Sequence, residues 1–255
     1  MIALPRPLKS AIKAHLPRGL NVGAAVVQLY LNDGRSTRLG LANFPSFLAP
    51  TRGEDYRYSL HPFDQDGRAM GSATVELPRY GSREVDLTSL FGDRLPAMGM
   101  IAVRIRPVRF FSLRDRHLGR IRPHFFTLFA STRMESLGLV HPQTHLGASP
   151  APDREWVSNL GIEPATVERV ELFQINPGRG PVETQAFLQD GEGRVLARSQ
   201  ARIPPRGTRR VEFDLAPLAG RHPVVCVGLR GLAAANGKPI LFLHFRDGSF
   251  TCCHA

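Results

Sequence analysis

The chain has 255 residues, 42% hydrophobic and 22% charged, with 24 Gly and 21 Pro, a composition that excludes wholesale disorder, suits one large or two ordinary domains and implies many turns. Its 33 Lys and Arg outweigh 22 Asp and Glu for a net charge of +11; the excess is mostly Arg, whose fork suits carboxylate, sulfate or phosphate, although a coding bias toward Arg supplies the same charge with no ligand. Three cysteines, Cys226, Cys252 and Cys253, are too few for a disulfide framework and point to a reducing compartment.

The N-terminal residues Met1 to Lys9 are basic but lack an apolar run of signal-peptide length, and no stretch reaches the ~20 apolar residues of a membrane span. The expectation is a cytoplasmic protein, with a removed signal segment as the alternative. Residues 1–19 read as an arm. Leu8, Ile12 and Leu16 recur every four residues between Pro7 and Pro17, which predicts one short amphipathic helix. At about two turns it suits docking on its own domain better than lying on a membrane.

From Ala24 the period changes to that of strands. Ala24 to Leu31 ends at Asn32-Asp33-Gly34, and Thr37 to Asn43 follows at hairpin distance. Tyr56 to His61 alternates, Asp66-Gly67 reverses the chain, and Ala69 to Leu77 returns. Further strands are expected at 82–87, 98–106, 123–131 and 136–141. The Pro, Gly, Ser and Ala of Pro142 to Asp153 mark a linker. Beyond it, strands are expected at 167–175, 182–189, 194–203, 208–215, 224–229, 239–245 and 249–254.

The two runs of strands are related. Asp64-Gln65-Asp66-Gly67-Arg68 and Asp190-Gly191-Glu192-Gly193-Arg194 lie 126 positions apart, and without a gap Pro78/Pro204, Gly81/Gly207, Arg83/Arg209 and Val85/Val211 also coincide. With gaps, Ile101, Val103, Ile105 and Arg106 match Val225, Val227, Leu229 and Arg230 at 124, and Pro123 and Phe126 match Pro239 and Phe242 at 116. Both runs close with a Ser five residues before a His, Ser136/His141 and Ser249/His254, a spacing that puts the two on opposite faces of a strand and so rules out a catalytic pair. The expected fold is all-β: two tandem antiparallel β-sandwich domains from an internal duplication, 20–147 and 148–255, after the arm. The strand count resembles immunoglobulin-like or fibronectin-type modules, with no residues matching a specific family.

Few residues suggest chemistry. The doubled Asp-x-acid-Gly stretch resembles the start of a calcium loop but lacks the later ligands, so it reads as a hairpin turn. His141 and His145 are four apart, but Pro142 stands between them and opposes the helix that would put both on one face. His244, Cys252 and His254 are the densest soft ligands and the weak candidates for zinc or copper, yet no paired Cys-x-x-Cys accompanies them. No nucleophile elbow, phosphate loop, dinucleotide fingerprint or His-Glu-x-x-His appears. That points away from an enzyme, although a sheet can assemble paired carboxylates from Glu168, Glu171, Glu183 and the repeat acids without a local signature. No cofactor is expected.

The most unusual stretch carries Arg104, Arg106, Arg109, Arg114, Arg116, Arg120 and Arg122, with Phe110 and Phe111 among them and Asp115 the only acid. Arg beside aromatics suits an anionic polymer, and pairing with acids of the other unit or of another subunit is the plain alternative. Trp156, the only Trp, is expected at a domain junction or, less readily, as a sugar platform. The functional expectation is a non-catalytic binding or assembly protein that engages an anionic polymer or acidic protein surface. The alternatives are a carbohydrate-active enzyme or its accessory sugar-binding domain, and a structural subunit of a larger particle, homo-oligomeric in the simplest case.

Overall fold

The computed structural model describes residues 23–48, 54–109, 122–131, 136–142, 144–158, 160–235 and 237–254. The expected N-terminal helix at 1–19 lies outside them. The described residues are mostly β-strand, in four antiparallel sheets, as the alternating pattern predicts.

In the first half, β1 (Val26–Leu31), β3 (Tyr56–Asp64), β4 (Ala73–Leu77), β6 (Met98–Pro107) and β9 (Thr144–His145) form a sheet in the order β4-β3-β6-β1-β9. Its companion orders β2 (Arg35–Ala42), β5 (Ser82–Asp86), β7 (Phe125–Ser131) and β8 (Leu137–Val140) as β5-β2-β7-β8. In the second half, β10 (Ala151–Val157), β12 (Val182–Asp190), β13 (Val195–Ile203) and β15 (Val225–Leu232) run β10-β15-β12-β13, and β11 (Val167–Ile175), β14 (Thr208–Asp214), β16 (Ile240–Phe245) and β17 (Phe250–His254) run β14-β11-β16-β17. With β10 in the place of β1, the second half repeats the strand order of the first. Two one-turn helices, α1 (Phe44–Leu48) and α2 (Leu87–Phe91), were not foreseen; Asp86 caps α2 by accepting the Ser89 N–H at 2.8 Å.

Each half fills its own core from both of its sheets. Leu39 and Leu41 of β2 meet Tyr58, Leu60, Val103 and Ile105 of the facing sheet, and Leu172 and Leu241 meet Ala186, Leu188 and Val227 in the second half. A third cluster crosses between the halves. Leu29, Leu31, Phe129 and Val140 pack with Phe173, Ile240, Phe242, Phe250 and Cys252. At about 2 kcal/mol per buried phenylalanine, this join rivals a core in strength and holds the halves together.

The join explains why two expectations fail. β1 and β2 form no hairpin: β1 pairs with β6 and β9, whereas β2 pairs with β5 and β7 in the opposite sheet. All six residues of β1 are buried, which requires a strand covered on both faces, and Thr37 Oγ1 takes over at the corner by accepting the Leu31 N–H and donating to its carbonyl, both at 2.8 Å. The expected linker is also partly strand, since Thr144–His145 pairs with β1 and Ala151–Val157 pairs with β15.

The duplication extends to side-chain detail. Asp64 and Asp190 each accept two backbone N–H groups, from Asp66 and Arg68 at 2.9 and 2.8 Å and from Glu192 and Arg194 at 3.0 and 2.9 Å, and Gly67 and Gly193 take φ of 85° and 83°. These are hairpin turns, as read from the sequence. Tyr80 and Arg206 share the left-handed region at 60° and 59°. Buried Asn43 and Asn176 do the same work without lying at the common spacing: Asn43 Nδ2 donates to the carbonyls of Glu54 and Pro78, Asn176 Nδ2 to those of Gly180, Ile203 and Pro204.

Strand pairing corrects the gapped matches. Ser59 lies opposite Arg104 and Gln185 opposite Arg230, so Arg104 is the counterpart of Arg230, at 126 rather than 124. Leu39 lies opposite Thr127 and Leu172 opposite Leu241, which sets β7 to β16 at 114 rather than 116. Each match is off by two residues, an even slip that leaves the inward and outward faces unchanged.

Candidate functional site

β6 alternates, with Val103 and Ile105 in the first core, so Arg104 and Arg106 stand on its outer face. Arg106, Arg109 and Arg122 are exposed and Arg104 is half-buried. Arg106 lies opposite Arg57, whose guanidinium is already held by Glu76 at 2.8 and 2.5 Å. His61 is nearby, and burial together with the positive charge of Arg104 holds it below the ordinary histidine value. Among the described residues no acid pairs with Arg104, Arg106, Arg109 or Arg122, nor with the exposed Arg83, Arg154, Arg198 and Arg202 of other strands, whereas Arg38, Arg57, Arg194, Arg209 and Arg230 rest against carboxylates. Arg122 also lines a cavity of about 150 Å³ with His124, His141 and His145. Arg114, Arg116 and Arg120 lie outside the described residues.

The corresponding outer face of the second half carries a groove of about 410 Å³, lined by Glu183, Gln185, Gln200, Arg202, Arg230 and their neighbours. Gln185 sits between Gln200 and Arg230 across three strands, and Glu183 faces Arg202. Arg230 Nε donates to Glu155 at 2.7 Å, and its guanidinium lies 5.5 Å from the ring centre of Phe187. Trp156 takes no part: it lies opposite Leu229, on the inward side, and packs against the second core.

The weak metal candidates are kept apart. His244 lies opposite Phe250 and His254 opposite Ile240, roughly 13 Å along the sheet at about 3.3 Å per residue. His244 Nε2 meets Glu171 at 2.8 Å while Arg169 approaches its Nδ1 at 3.3 Å. Since arginine only donates, Nδ1 accepts and Nε2–H donates to the carboxylate. Cys252 is buried in the join, and burial pushes its thiol up to about 12. Among the described residues no three His, Cys, Asp or Glu side chains gather as a metal site, and no helix is long and apolar enough to cross a membrane.

Sequence reasoning missed the strongest polar network, which lies in the join. Glu171 Oε2 accepts from Arg35 Nη1 at 2.5 Å and Oε1 from Arg210 at 3.1 Å, while Arg35 also forks onto Asp33 through Nε and Nη2 at 2.9 and 2.5 Å. Phe242 lies beneath the Arg35 guanidinium, 4.8 Å to the ring centre. Burial alone would raise the Glu171 carboxyl, but the His244 hydrogen bond and the Arg35 charge win and bring it down to about 2. The available signal was parity: Glu171 shares its face of β11 with Arg169, Phe173 and Ile175, and two large apolar residues beside it on an outer face mark a covered surface. Glu171 is therefore committed to holding the halves together and is not free for glycosidase chemistry.

No family model and no curated protein matches this chain. Solved structures give a faint likeness only. A β-glucuronidase from glycoside hydrolase family 2 is 11% identical with a TM-score of 0.21, over 93% of this chain and 25% of its own. A glycosyl hydrolase family 2 member from Bacteroides cellulosilyticus is 12% identical with a TM-score of 0.21, over 94% and 27%. The exo-chitosanase CsxA of Amycolatopsis orientalis is 10% identical with a TM-score of 0.18, over 91% and 25%. The chain spans about a quarter of the length of these proteins, and at such scores the likeness carries no conclusion about activity.

Proposed function

We propose that the protein is a non-catalytic binding or assembly module, built as two tandem immunoglobulin-like β-sandwiches divided near residues 147 and 148, that engages an anionic partner through Arg104, Arg106, Arg109 and Arg122. The observation that carries this reading is clustering: Arg104 and Arg106 stand on one face of β6, Arg106 lies opposite Arg57, and Arg104, Arg106, Arg109 and Arg122 have no acid partner among the described residues. Like charges about 5 Å apart in water repel by roughly 0.8 kcal/mol, a cost that a bound polyanion removes. Arg114, Arg116 and Arg120 continue the stripe in sequence and belong to the same proposal. Reversing Arg104, Arg106, Arg109 and Arg122 to Glu is expected to abolish retention on a heparin column at physiological salt. Unchanged retention of the folded variant would sink the reading.

A second reading rests on the groove of the second half. Amide and guanidinium groups on strands about 4.8 Å apart, in a groove of about 410 Å³, present a row of planar donors and acceptors suited to sugar hydroxyls. It makes this half an accessory sugar-binding unit. Gln185→Ala with Gln200→Ala is expected to lower any oligosaccharide affinity seen by calorimetry at least about ten-fold, equivalent to 1.4 kcal/mol; a wild-type protein that binds no oligosaccharide in such a screen counts against it.

A further inference from the structure

The halves meet through unlike surfaces, and the duplication leaves a second copy of each surface unused. The first half contributes the outer face of β1 and β6, with Leu29, Leu31, Met98 and Met100, and the hairpin turn at 64–68. The second half contributes the outer face of β16 and β17, with Ile240, Phe242, Phe250 and Cys252, and the turn at 204–209. Where the turns touch, the Gln65 carbonyl accepts the Thr208 N–H at 3.0 Å and Arg209 Nη1 at 2.8 Å, and Asp66 accepts Arg209 Nη2 at 3.0 Å. The backbones come so close that a β-carbon on Gly67 would strike the Pro205 carbonyl.

Both surfaces recur on the opposite halves. Leu128 lies opposite Leu139 as Phe242 lies opposite Cys252, so Phe126, Leu128, Leu137 and Leu139 are the counterparts of Ile240, Phe242, Phe250 and Cys252. They are apolar too, but Phe126 is 42%, Leu137 58% and Leu139 54% exposed, and large apolar side chains gathered on one open face mark an interaction surface. On the second half, Val224 and Cys226 are the counterparts of Met98 and Met100 at the offset of 126 and remain partly exposed. Val157 lies opposite Gly228 as Val27 lies opposite Ala102, which widens the apolar strip. The turns repeat as well. Gly193 has nothing within 4 Å of a β-carbon, which leaves room for a second backbone. Glu192, the counterpart of Asp66, is exposed and bridged to Arg194 of its own turn at 3.1 Å. Arg83, the counterpart of Arg209, is exposed and has no acid partner among the described residues.

We propose that copies of this chain join head to tail. The Val224 and Cys226 face and the 190–194 turn of one copy dock on the Leu137 and Leu139 face and the 78–83 turn of the next. The occupant is a second copy because the corresponding face of the second half is covered by the sister surface of the same repeat, and because Glu192 can meet Arg83 as Asp66 meets Arg209. A contact between unlike surfaces that does not close on itself extends from copy to copy. It is separate from the arginine surface and does not depend on it.

Sedimentation velocity of the full chain over a wide concentration range tests this. The average mass is expected to rise with concentration past that of a dimer. Leu137→Glu with Leu139→Glu blocks one face, and Val224→Glu with Cys226→Glu blocks the other. Each blocked variant alone is expected to stay monomeric, and an equimolar mixture of the two to form a dimer and stop there, since one intact pair of surfaces remains. Arg83→Glu, on the exposed surface, is expected to weaken association at least about five-fold, and Glu192→Arg added to the same chain to restore it. A wild type that is monomeric at every concentration, as cover of the Leu137 face by residues 1–22 would give, overturns the proposal. So does a dimer that persists when Val224 and Cys226 are changed, which would mean that two Leu137 faces meet each other, and so does a mixture of the blocked variants that stays monomeric.

Discussion

Glu171 shows how a single side chain can serve the join between the halves. Its carboxylate is buried, yet Arg35, Arg210 and His244 all point at it, and removing one partner from such a network leaves the others as buried, uncompensated charge. Because the folded carboxyl lies at about 2 against an ordinary 4.5, its contribution to stability is full above the unfolded value and is lost as pH falls from 4.5 toward 2. The shift corresponds to about 3 kcal/mol. Glu171→Gln is therefore expected to lower the urea-unfolding free energy by about 3 kcal/mol at pH 7, and to flatten its fall between pH 5 and 2. A variant with the acid dependence of wild type would remove Glu171 from this role. Glu171 was visible in the sequence only as an acid in a strand; its partners are set by chain segments far away, which no local spacing reports.

Strands and turns were the most legible elements. The Asx turns at Asp64 and Asp190 follow from residue types at fixed offsets, and the predicted β11, Val167–Ile175, has the observed limits. β10 was missed because Ala151–Val157 holds Pro152 and four consecutive exposed residues, the pattern of an edge strand. The β1–β2 hairpin was misread because length and turn residues alone do not say whether a corner stays in its sheet or crosses to the facing one. Two glycines in the second Asx turn separate backbone conformation from packing. Gly193 has φ of +83°, Gly191 has no positive φ, and a β-carbon at either meets nothing within 4 Å. Gly193→Ala is expected to cost about 1 kcal/mol from left-handed strain alone, while Gly191→Ala is neutral or stabilising by up to about 0.5 kcal/mol. Chemical denaturation of both variants checks this, and equal effects would mean that the turn does not hold the backbone described.

At the scale of the whole molecule, the duplication gives two sheet pairs of one strand order, and the halves then diverge in what they expose. Between β6 and β7 the first half is 12 residues longer than the second, the difference between the pairing offsets of 126 and 114. The Arg-rich stretch fills that excess. The repeat made this comparison possible from sequence alone, whereas the packing of one half on the other did not follow from it, because Phe129, Phe173 and Phe242 read equally well as residues of their own cores.

The central claim is that the arginines bordering the extra segment engage a polyanion. It is tested most directly by the salt dependence of heparin binding, measured by fluorescence titration for the wild type and for the variant with Arg104, Arg106, Arg109 and Arg122 changed to Ala. Each phosphate-like contact contributes about one unit to the slope of log affinity against log salt. The variant is expected to bind more weakly at every salt concentration, with a slope smaller by about three to four units. Equal slopes and equal affinities in the two proteins would contradict it.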